Sequence, residues 1–435
     1  MSATRLVIVD GVRTPFSKMG TDLAHLGADE LGRIAVSALL AKTGIDPAII
    51  DEVIFGCVAQ PADAANVARV IALRAGIPEH VPAITVHRNC ASGCEAITQA
   101  QEKMLAGRGS IFIVGGAESM SQVPLLYNYS AAQKFGKLAR AKSFWQKLSA
   151  FAAFRPSDFQ PRIGLQLGLT DPVCGLNMGD TAEVLAREFG ITRELQDSFA
   201  MESHARALAA REKIAEEITP VYPTILPPGV RAKSSGPVLS DNGPRKDQTM
   251  EVLAKLRPVF DRKTGSVTAG NSSQITDGAV ALLVMTEQKA SELGITPLGI
   301  LTGYAYAGCD PARMGLGPVF AIAKAEDITG FTIEQADLIE INEAFAAQVL
   351  AVLKCLRSDE FAAKHLKRSR PVGKVPKDRL NVNGGSIALG HPVGATGARL
   401  ALTSLKELER RQAKRALVSL CVGGGQGAAL WLERP

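Results

Sequence analysis

The sequence predicts an α/β fold made of two similar halves, and three observations carry that expectation. Short apolar runs alternate with helix-like patterns over the first 120 residues. The same rhythm returns in the C-terminal third. Between them, from about 120 to 275, the texture changes to Pro-, Gly- and Ser-rich loops such as PSDFQP, TPVYPTILPPG and SSGPVLSDNGP, interrupted by helical runs at 180–189 and 193–213.

In chain order, LVIV at 6–9 and VIFGCV at 53–58 read as buried strands. Between them Leu31, Ile34, Ala35, Ala38 and Leu39 fall on one face of a helix. AITV at 83–86 leads into a Cys-Ser-Gly turn and a helical stretch ending near Gly107, and IFIVGG at 111–116 is another strand. In the last third, DLIEIN at 337–342 is a strand followed by the helix-like EAFAAQVLAVL. A Gly-rich turn then opens a helix, and ALVSLCVGGG at 416–425 is a strand ending in glycines. Ser92-Gly93, helix, IFIVGG is answered by Thr396-Gly397, helix, ALVSLCVGGG, in the same order and similar spacing. The unit is duplicated.

Composition narrows the function classes. The 435 residues are 46% hydrophobic and 21% charged, which excludes a disordered or collagen-like chain. No run approaches the ~20 apolar residues of a membrane span, and the first strand starts too early to leave room for a signal peptide. Seven cysteines without CxxC spacing argue against a disulfide framework or a zinc ribbon, and fit a reducing cytoplasm. The net charge of +6 is too mild for a nucleic-acid footprint unless concentrated. It is concentrated: from Ser119 to Ser157 there is no Asp or Glu, while Lys134, Lys137, Arg140, Lys142, Lys147 and Arg155 are basic. Phe144, Trp145, Leu148 and Phe151 in the same segment make an amphipathic helix. That helix suits an anionic membrane surface, a partner subunit or electrostatic steering of a polyanion; the bland reading packs its apolar face on the chain's own loops.

Candidate chemistry gathers at strand ends, where α/β sheets bind ligands. Cys90 in HRNCASGCEA follows a strand and precedes a helix, whose dipole favours thiolate and so a nucleophile; a small buried cysteine is the alternative. Cys94 is such a buried case. His391, held by glycines and a proline in GGSIALGHPVGATG, has a fixed ring position and room for substrate, or is a turn histidine without a role. That loop's GxxxGxxG spacing does not make a dinucleotide fingerprint, and no GxxxxGK[ST] or GxSxG is present. Cys421 ends a strand before three glycines whose N–H groups, Gly423 among them, suit an oxyanion hole. Asn342 and Glu343 sit at another strand-to-helix junction, with a helix N-cap and a solvated carboxylate as the bland readings.

These residues carry a resemblance. NCASG around Cys90, NEAFAAQ at 342–348, NVNGGSIALGHPVGATGAR and CVGGGQG, in this order and spacing, resemble the thiolases. So do VRTPF, MGDTAE at 178–183 and KLRPVFDRKTGSVTAGNSSQITDGA at 255–279, so the match covers essentially the whole chain. The resemblance implies a duplicated five-layer α/β/α/β/α fold with an inserted loop domain. Its N-terminal half would be 1–119 plus about 276–297, the loop domain 120–275, and the C-terminal half 298–435. It implies Cys90 as the acylated nucleophile, activated by His391, and Cys421 as the acid/base at the α-carbon of acetyl-CoA or at the incoming CoA thiol. It implies a water on Asn342 that, with His391, stabilises the thioester enolate, and a second oxyanion hole from the N–H groups of Cys90 and Gly423. Coenzyme A as co-substrate would meet Arg245 near its adenine, Ala269 and Ser273 along its pantetheine, and Met178 and Phe345 around the acyl pocket. No metal and no permanently bound cofactor are implied.

The long insert between Ser119 and Gly179 is similar to that of the thiolases of fatty-acid β-oxidation complexes. The implied activity is cleavage of 3-ketoacyl-CoA by CoA to acetyl-CoA and a shortened acyl-CoA. The alternative is the biosynthetic condensation of two acetyl-CoA. The implied partners are acyl-CoA and CoA, a second copy in a homodimer or dimer of dimers, and a hydratase/dehydrogenase subunit or membrane at the basic 130–155 stretch. A noncatalytic scaffold of this fold would lack a catalytic residue, yet Cys90, Asn342, His391 and Cys421 are all present. A ketoacyl synthase relative would need histidine where Asn342 stands.

Overall fold

The computed structural model describes residues 5–222 and 236–435. Residues 1–4 and the part of the expected Pro-rich loop from 223 to 235 lie outside the described residues. The first half runs β1 (Leu6–Arg13), α1 (Ala28–Thr43), β2 (Glu52–Gly56), α2 (Val67–Arg74), β3 (Ala83–Val86), α3 (Ser92–Leu105) and β4 (Ile111–Glu118). Helices α4 (Tyr129–Arg140), α5 (Phe144–Ala152), α6 (Met178–Glu188) and α7 (Arg193–Ala209) follow. The chain then returns to the sheet with β5 (Thr276–Thr286) and β6 (Gly299–Gly308). Next come α8 (Gly317–Thr329), β7 (Leu338–Ile341), α9 (Ala346–Leu356), α10 (Thr396–Arg411), β8 (Arg415–Val422) and β9 (Gln426–Glu433).

Among the described residues these strands form a ten-stranded sheet, in the order β7-β8-β9-β6-β1-β5-β4-β2-β3, with the short strand Ser17–Lys18 paired to β5; Leu125–Leu126 and Arg162–Ile163 pair in a separate two-stranded sheet. Its centre is thin: β1 meets β6 only at Val7–Ile300 and Ile8–Gly299. On either side of that seam the pattern repeats. β2 is parallel to β4, β4 antiparallel to β5 and β5 antiparallel to β1. Likewise β7 is parallel to β8, β8 antiparallel to β9 and β9 antiparallel to β6. Even the parallel neighbour β3 of β2 has a counterpart, reduced to a single bridge between Ile339 and Leu380.

Side-chain alternation turns the two half-sheets into five layers. In β5, Ala279, Ala281, Leu283 and Met285 pack outward with α1 and α2, while Val280, Leu282 and Val284 face inward. In β9, Ala429 and Trp431 pack outward with α8 and α9, while Ala428, Leu430 and Leu432 face inward. Both inward faces meet the same pair of helices, α3 and α10, which fill the middle. The sheet therefore folds around these two helices, each half burying one face on them.

The middle pair approaches very closely. A Cβ on Gly93 would lie 2.6 Å from the Ala398 backbone nitrogen, and one on Gly397 would lie 2.5 Å from that of Cys94. Only glycine at both places lets the first turns of α3 and α10 touch backbone to backbone. The two turns that the sequence pairs as equivalent, Ser92-Gly93 and Thr396-Gly397, are thus in direct contact.

Strands β5, β6 and β9 and helices α2, α4 and α8 are not among the elements read from the sequence, whereas β1, α1, β2, β3, α3, β4, β7 and β8 fall where expected. One expectation is overturned: α5 does not pack its apolar face on its own loops. Phe144, Trp145, Leu148 and Phe151 are all exposed, Trp145 by 74%. What holds the α4–α5 hairpin is a cluster in which Phe135 meets Tyr127, Phe154 and Phe159, and which Phe151 alone of the exposed four touches, through Phe154.

Gly397→Ala is expected to destabilise the protein by about 1–3 kcal/mol, because neither backbone can recede. Gly168→Ala, where a Cβ meets nothing within 4 Å, is expected to change stability little. Urea unfolding of the two variants beside the parent checks this.

Candidate active site

The contact between α3 and α10 places two turns at one spot. Asn89 enters the first turn with φ +42°, a conformation asparagine tolerates better than most residues. Its Nδ2 donates to the Gly423 carbonyl at 2.8 Å, tying the Cys90 turn to the glycine loop after β8. Glu118, buried at the end of β4, joins the loop after β2 to the second turn by accepting from the N–H groups of Ala59 (2.8 Å), Val58 (3.0 Å) and Gly394 (2.9 Å).

Cys90 sits between these anchors, half-buried. The backbone N–H groups of Gly423 and of Cys90 itself point at its sulfur and favour the thiolate. Burial outweighs them and pushes the thiol up, helped by the charge of Glu118. This corrects the expectation from the helix dipole: without substrate, Cys90 is held as a thiol. Cys421 ends β8, buried, and desolvation together with the nearby Cys90 sulfur raises it well above the ordinary thiol range. Cys94 is buried and raised in the same way, as expected of an inert packing cysteine.

His391 is buried and held at three points. Its backbone N–H donates to the Gln274 carbonyl (3.0 Å), Nδ1 lies 2.6 Å from Thr396 Oγ1, and Nε2 lies 3.4 Å from Asn342 Nδ2. Thr396 gives its own proton to the Pro392 carbonyl at 3.0 Å and so accepts from Nδ1–H. That leaves the ring's lone pair, its basic position, on Nε2, beside the Asn342 amide. Burial, and then the charge of Arg399, lower His391 to about 4, so the ring is neutral at physiological pH.

Asn342 is not a helix cap: its helix begins at Ala346, capped by Phe345. Its backbone N–H donates to the Ser419 carbonyl of β8 at 2.9 Å, and its Oδ1 accepts from Ser386 Oγ at 2.7 Å. Glu343 is not a solvated carboxylate either. It is buried and accepts from Ser203 Oγ (2.6 Å), Asn381 Nδ2 (2.8 Å) and the Ile387 N–H (3.3 Å), with desolvation raising it.

An apolar lining faces this group. Met178 and Phe345 belong to one cluster with Cys421, Val267, Met314 and Phe260. The Phe260 and Phe345 rings stand edge to face at 6.1 Å. A Cβ on Gly423 would lie 3.3 Å from Met178 Sδ, so the methionine sits over the glycine loop. Asn177 starts α6 with a reciprocal cap, its Oδ1 taking the Gly179 N–H (3.1 Å) and its own N–H meeting Asp180 (3.0 Å).

The outer residues form a ledge. Ala269 is exposed and Ser273 half-buried, on a segment whose Ser273 N–H donates to the Ala344 carbonyl at 2.9 Å. Gln274 joins that segment to Gly243 (3.0 Å), close to exposed Arg245. The Arg245 N–H donates to Nδ1 of buried His204 (3.2 Å), which burial and the Arg245 charge lower to about 4. Sequence reasoning missed Asn89, Glu118, Thr396, Phe260 and Ser386 as parts of the site. Asn89, Phe260, Ser386 and Thr396 lie inside the recognised motifs, but nothing in their spacing announces their partners.

The family model "Thiolase, N-terminal domain" matches residues 6–288, and "Thiolase, C-terminal domain" matches 295–434. A 3-ketoacyl-CoA thiolase of Serratia proteamaculans is 44% identical over 99% of this chain and 97% of its own. One from Yersinia enterocolitica is 42% identical with the same coverage. The crystal structure of the Bacillus anthracis acetyl-CoA acetyltransferase superposes with a TM-score of 0.85 at 37% identity, covering 100% of this chain and 99% of the other. Human mitochondrial 3-ketoacyl-CoA thiolase in complex with CoA gives 0.84 at 34%, covering 100% and 98%.

Because Cys90 is held as a thiol, its alkylation by iodoacetamide is expected to accelerate steadily from about pH 6 to about pH 9. A rate already at its plateau near neutrality would instead mean a preformed thiolate.

Proposed function

The chain belongs to the thiolase family, and on that premise we propose that it cleaves 3-ketoacyl-CoA with CoA, giving acetyl-CoA and a shortened acyl-CoA. It is an acetyl-CoA C-acyltransferase. The observation that carries the reading is the close contact of the helices that follow Cys90 and His391, with Cys421 beside the Cys90 sulfur and Asn342 beside His391. Full-length similarity to curated 3-ketoacyl-CoA thiolases supports the degradative direction over the biosynthetic one.

His391 Nε2 takes the proton of Cys90, and the sulfur attacks the 3-keto carbon. The bond between C2 and C3 then breaks, with its electron pair forming the enolate of acetyl-CoA. A water on Asn342 and the protonated His391 stabilise the enolate oxygen, and Cys421 protonates C2. In the second half, CoA loses its thiol proton to Cys421 and attacks the acyl group on Cys90; the tetrahedral intermediate collapses by breaking the bond to the Cys90 sulfur, which takes its proton back from His391. The N–H groups of Cys90 and Gly423 stabilise that tetrahedral oxyanion, and both already face the Cys90 sulfur. Arg245 receives the CoA nucleotide, Ala269 and Ser273 flank the pantetheine, and Met178 and Phe345 line the acyl pocket. CoA enters and leaves as co-substrate.

A second copy of the chain completes the edge at β3, a strand with half-exposed side chains, an exposed Ile84 and a single pairing partner among the described residues. The free cysteines support a reducing, cytoplasmic setting. No helix among the described residues is long and apolar enough to cross a membrane. The exposed apolar face of α5, within a segment holding six basic and no acidic residues, is assigned here to an anionic lipid surface.

Incubation with a 3-ketoacyl-CoA in the absence of CoA is expected to leave the acyl group on Cys90 alone, read by peptide mass spectrometry. Cys90→Ala should abolish turnover. Thiolysis measured across short, medium and long 3-ketoacyl chains separates the degradative reading from the biosynthetic one, which would be confined to acetoacetyl-CoA.

Replacing Lys137, Arg140, Lys142 and Lys147 with Gln is expected to abolish co-sedimentation with phosphatidylglycerol vesicles and leave turnover unchanged. Undiminished sedimentation, or capture of a hydratase/dehydrogenase subunit without any lipid binding, overturns the lipid assignment.

A further inference from the structure

Behind Asn342 lies a buried polar chain that the mechanism above does not use. Arg399, in the second turn of α10, is 1% exposed. Its Nη2 donates to Ser386 Oγ at 3.4 Å, and its Nη1 faces Glu340 Oε2 at 3.5 Å. Ser386, fully buried, donates onward to Asn342 Oδ1 at 2.7 Å. Asn342 Nδ2 in turn faces His391 Nε2 at 3.4 Å.

The direction of this chain is set by chemistry. A guanidinium has donors and no acceptor, so the Ser386 hydroxyl cannot donate to Arg399 and must accept from it. Its one proton is thereby directed at Asn342. An asparagine amide has two ends of nearly equal shape, and what it hydrogen-bonds decides which end faces which way. A donor at Oδ1 fixes the carbonyl toward Ser386 and turns the N–H₂ end toward His391. Flipped, the amide would aim its oxygen at the His391 lone pair and offer no donor to the substrate side.

Stability alone is a poor reason for Arg399 to be there. A buried cation is costly unless fully hydrogen-bonded, and its Nε and Nη1 find no hydrogen-bond partner among the described residues. Glu340 Oε2 is equally without one.

We propose that Ser386, oriented by Arg399, is a positioning residue that fixes the amide of Asn342 for the enolate-forming half of the reaction. The proposal rests on the reading of Asn342 given above, and it separates the two half-reactions. Cleavage of the C2–C3 bond passes through an enolate and needs the Asn342 N–H. Exchange of free CoA with the CoA of an acyl-CoA passes only through the Cys90 thioester and the N–H groups of Cys90 and Gly423.

Two rates test it in each protein: thiolysis of a 3-ketoacyl-CoA, and incorporation of isotopically labelled CoA into the corresponding saturated acyl-CoA. In Ser386→Ala, kcat for thiolysis is expected to fall about 10- to 100-fold, the scale of a misplaced reacting group. Its KM for CoA and its exchange rate should stay within about 2-fold of the parent. Ser386→Thr restores the hydroxyl and is expected to recover thiolysis. Arg399→Lys keeps a donor toward Ser386 and should lie between parent and Ser386→Ala in thiolysis only. Equal losses of thiolysis and exchange in variants with parental circular dichroism, or no loss of either, overturn the positioning role. A parent that catalyses neither reaction overturns the proposed function instead, so the two failures are distinct.

Discussion

The close crossing of α3 and α10 is the constraint on which the site depends. Each helix begins with a turn that carries chemistry, Cys90 before one and His391 before the other. Only because Gly93 and Gly397 present no side chain can the two turns share one place. The packing around them follows suit, with Cys94, Ala398 and Ala401 keeping the helices close and both half-sheets laying an apolar face on the pair. The same burial that stabilises the middle layer also sets the electrostatics of the site. Nothing charged at this junction is cheap.

That explains the resting state. Burial raises Cys90 and Cys421 and lowers His391, so all three are neutral before substrate arrives. Charge is made only when bonds change, and the donors that receive it are already in place: two backbone N–H groups at the Cys90 sulfur and the amide of Asn342. Preorganised dipoles in a desolvated site act more strongly than in water, at no cost of reorganisation. The buried ionisable groups are kept one layer back, where desolvation raises both Glu343 and Glu340. Glu343 is satisfied by three donors, and Arg399 and Glu340 face each other behind Ser386.

Much of this was legible in the sequence, for a physical reason. A reactive group at a strand-to-helix junction needs room for backbone and ligand, and that need is met with glycine in recognisable positions. Cys90, His391, Asn342 and Cys421 all stand beside such runs, and the duplicated turn-helix-strand order pointed to equivalent places for two of them. What stayed hidden is what depends on tertiary pairing. Ser386 and Asn342 are 44 residues apart, and no local pattern reveals that a serine hydroxyl fixes an amide. β9 escaped because its strand follows directly on the glycine loop, whose residues read as a terminus. The helix dipole at Cys90 was read correctly as a feature and wrongly as the deciding one, since burial is invisible in a local motif. The apolar stripe of α5 was legible too, but whether it faced inward could be decided only by the neighbours it lacks.

Function is divided between rigid and variable parts of the molecule. The groups that move protons and electrons are anchored mainly to the duplicated core, through Ser419, Thr396 and Gly423. The apolar lining comes partly from elsewhere: Met178 from α6, and Phe260 and Val267 from the segment before β5. The ledge proposed for CoA, Arg245 and Ala269, is more exposed still. Changes in acyl preference can therefore accumulate in residues that touch neither Cys90 nor His391. Changes in the chemistry would have to pass through the two crossing glycines, where even a methyl group has no place. A chain of this kind can diverge in what it accepts while remaining fixed in what it does.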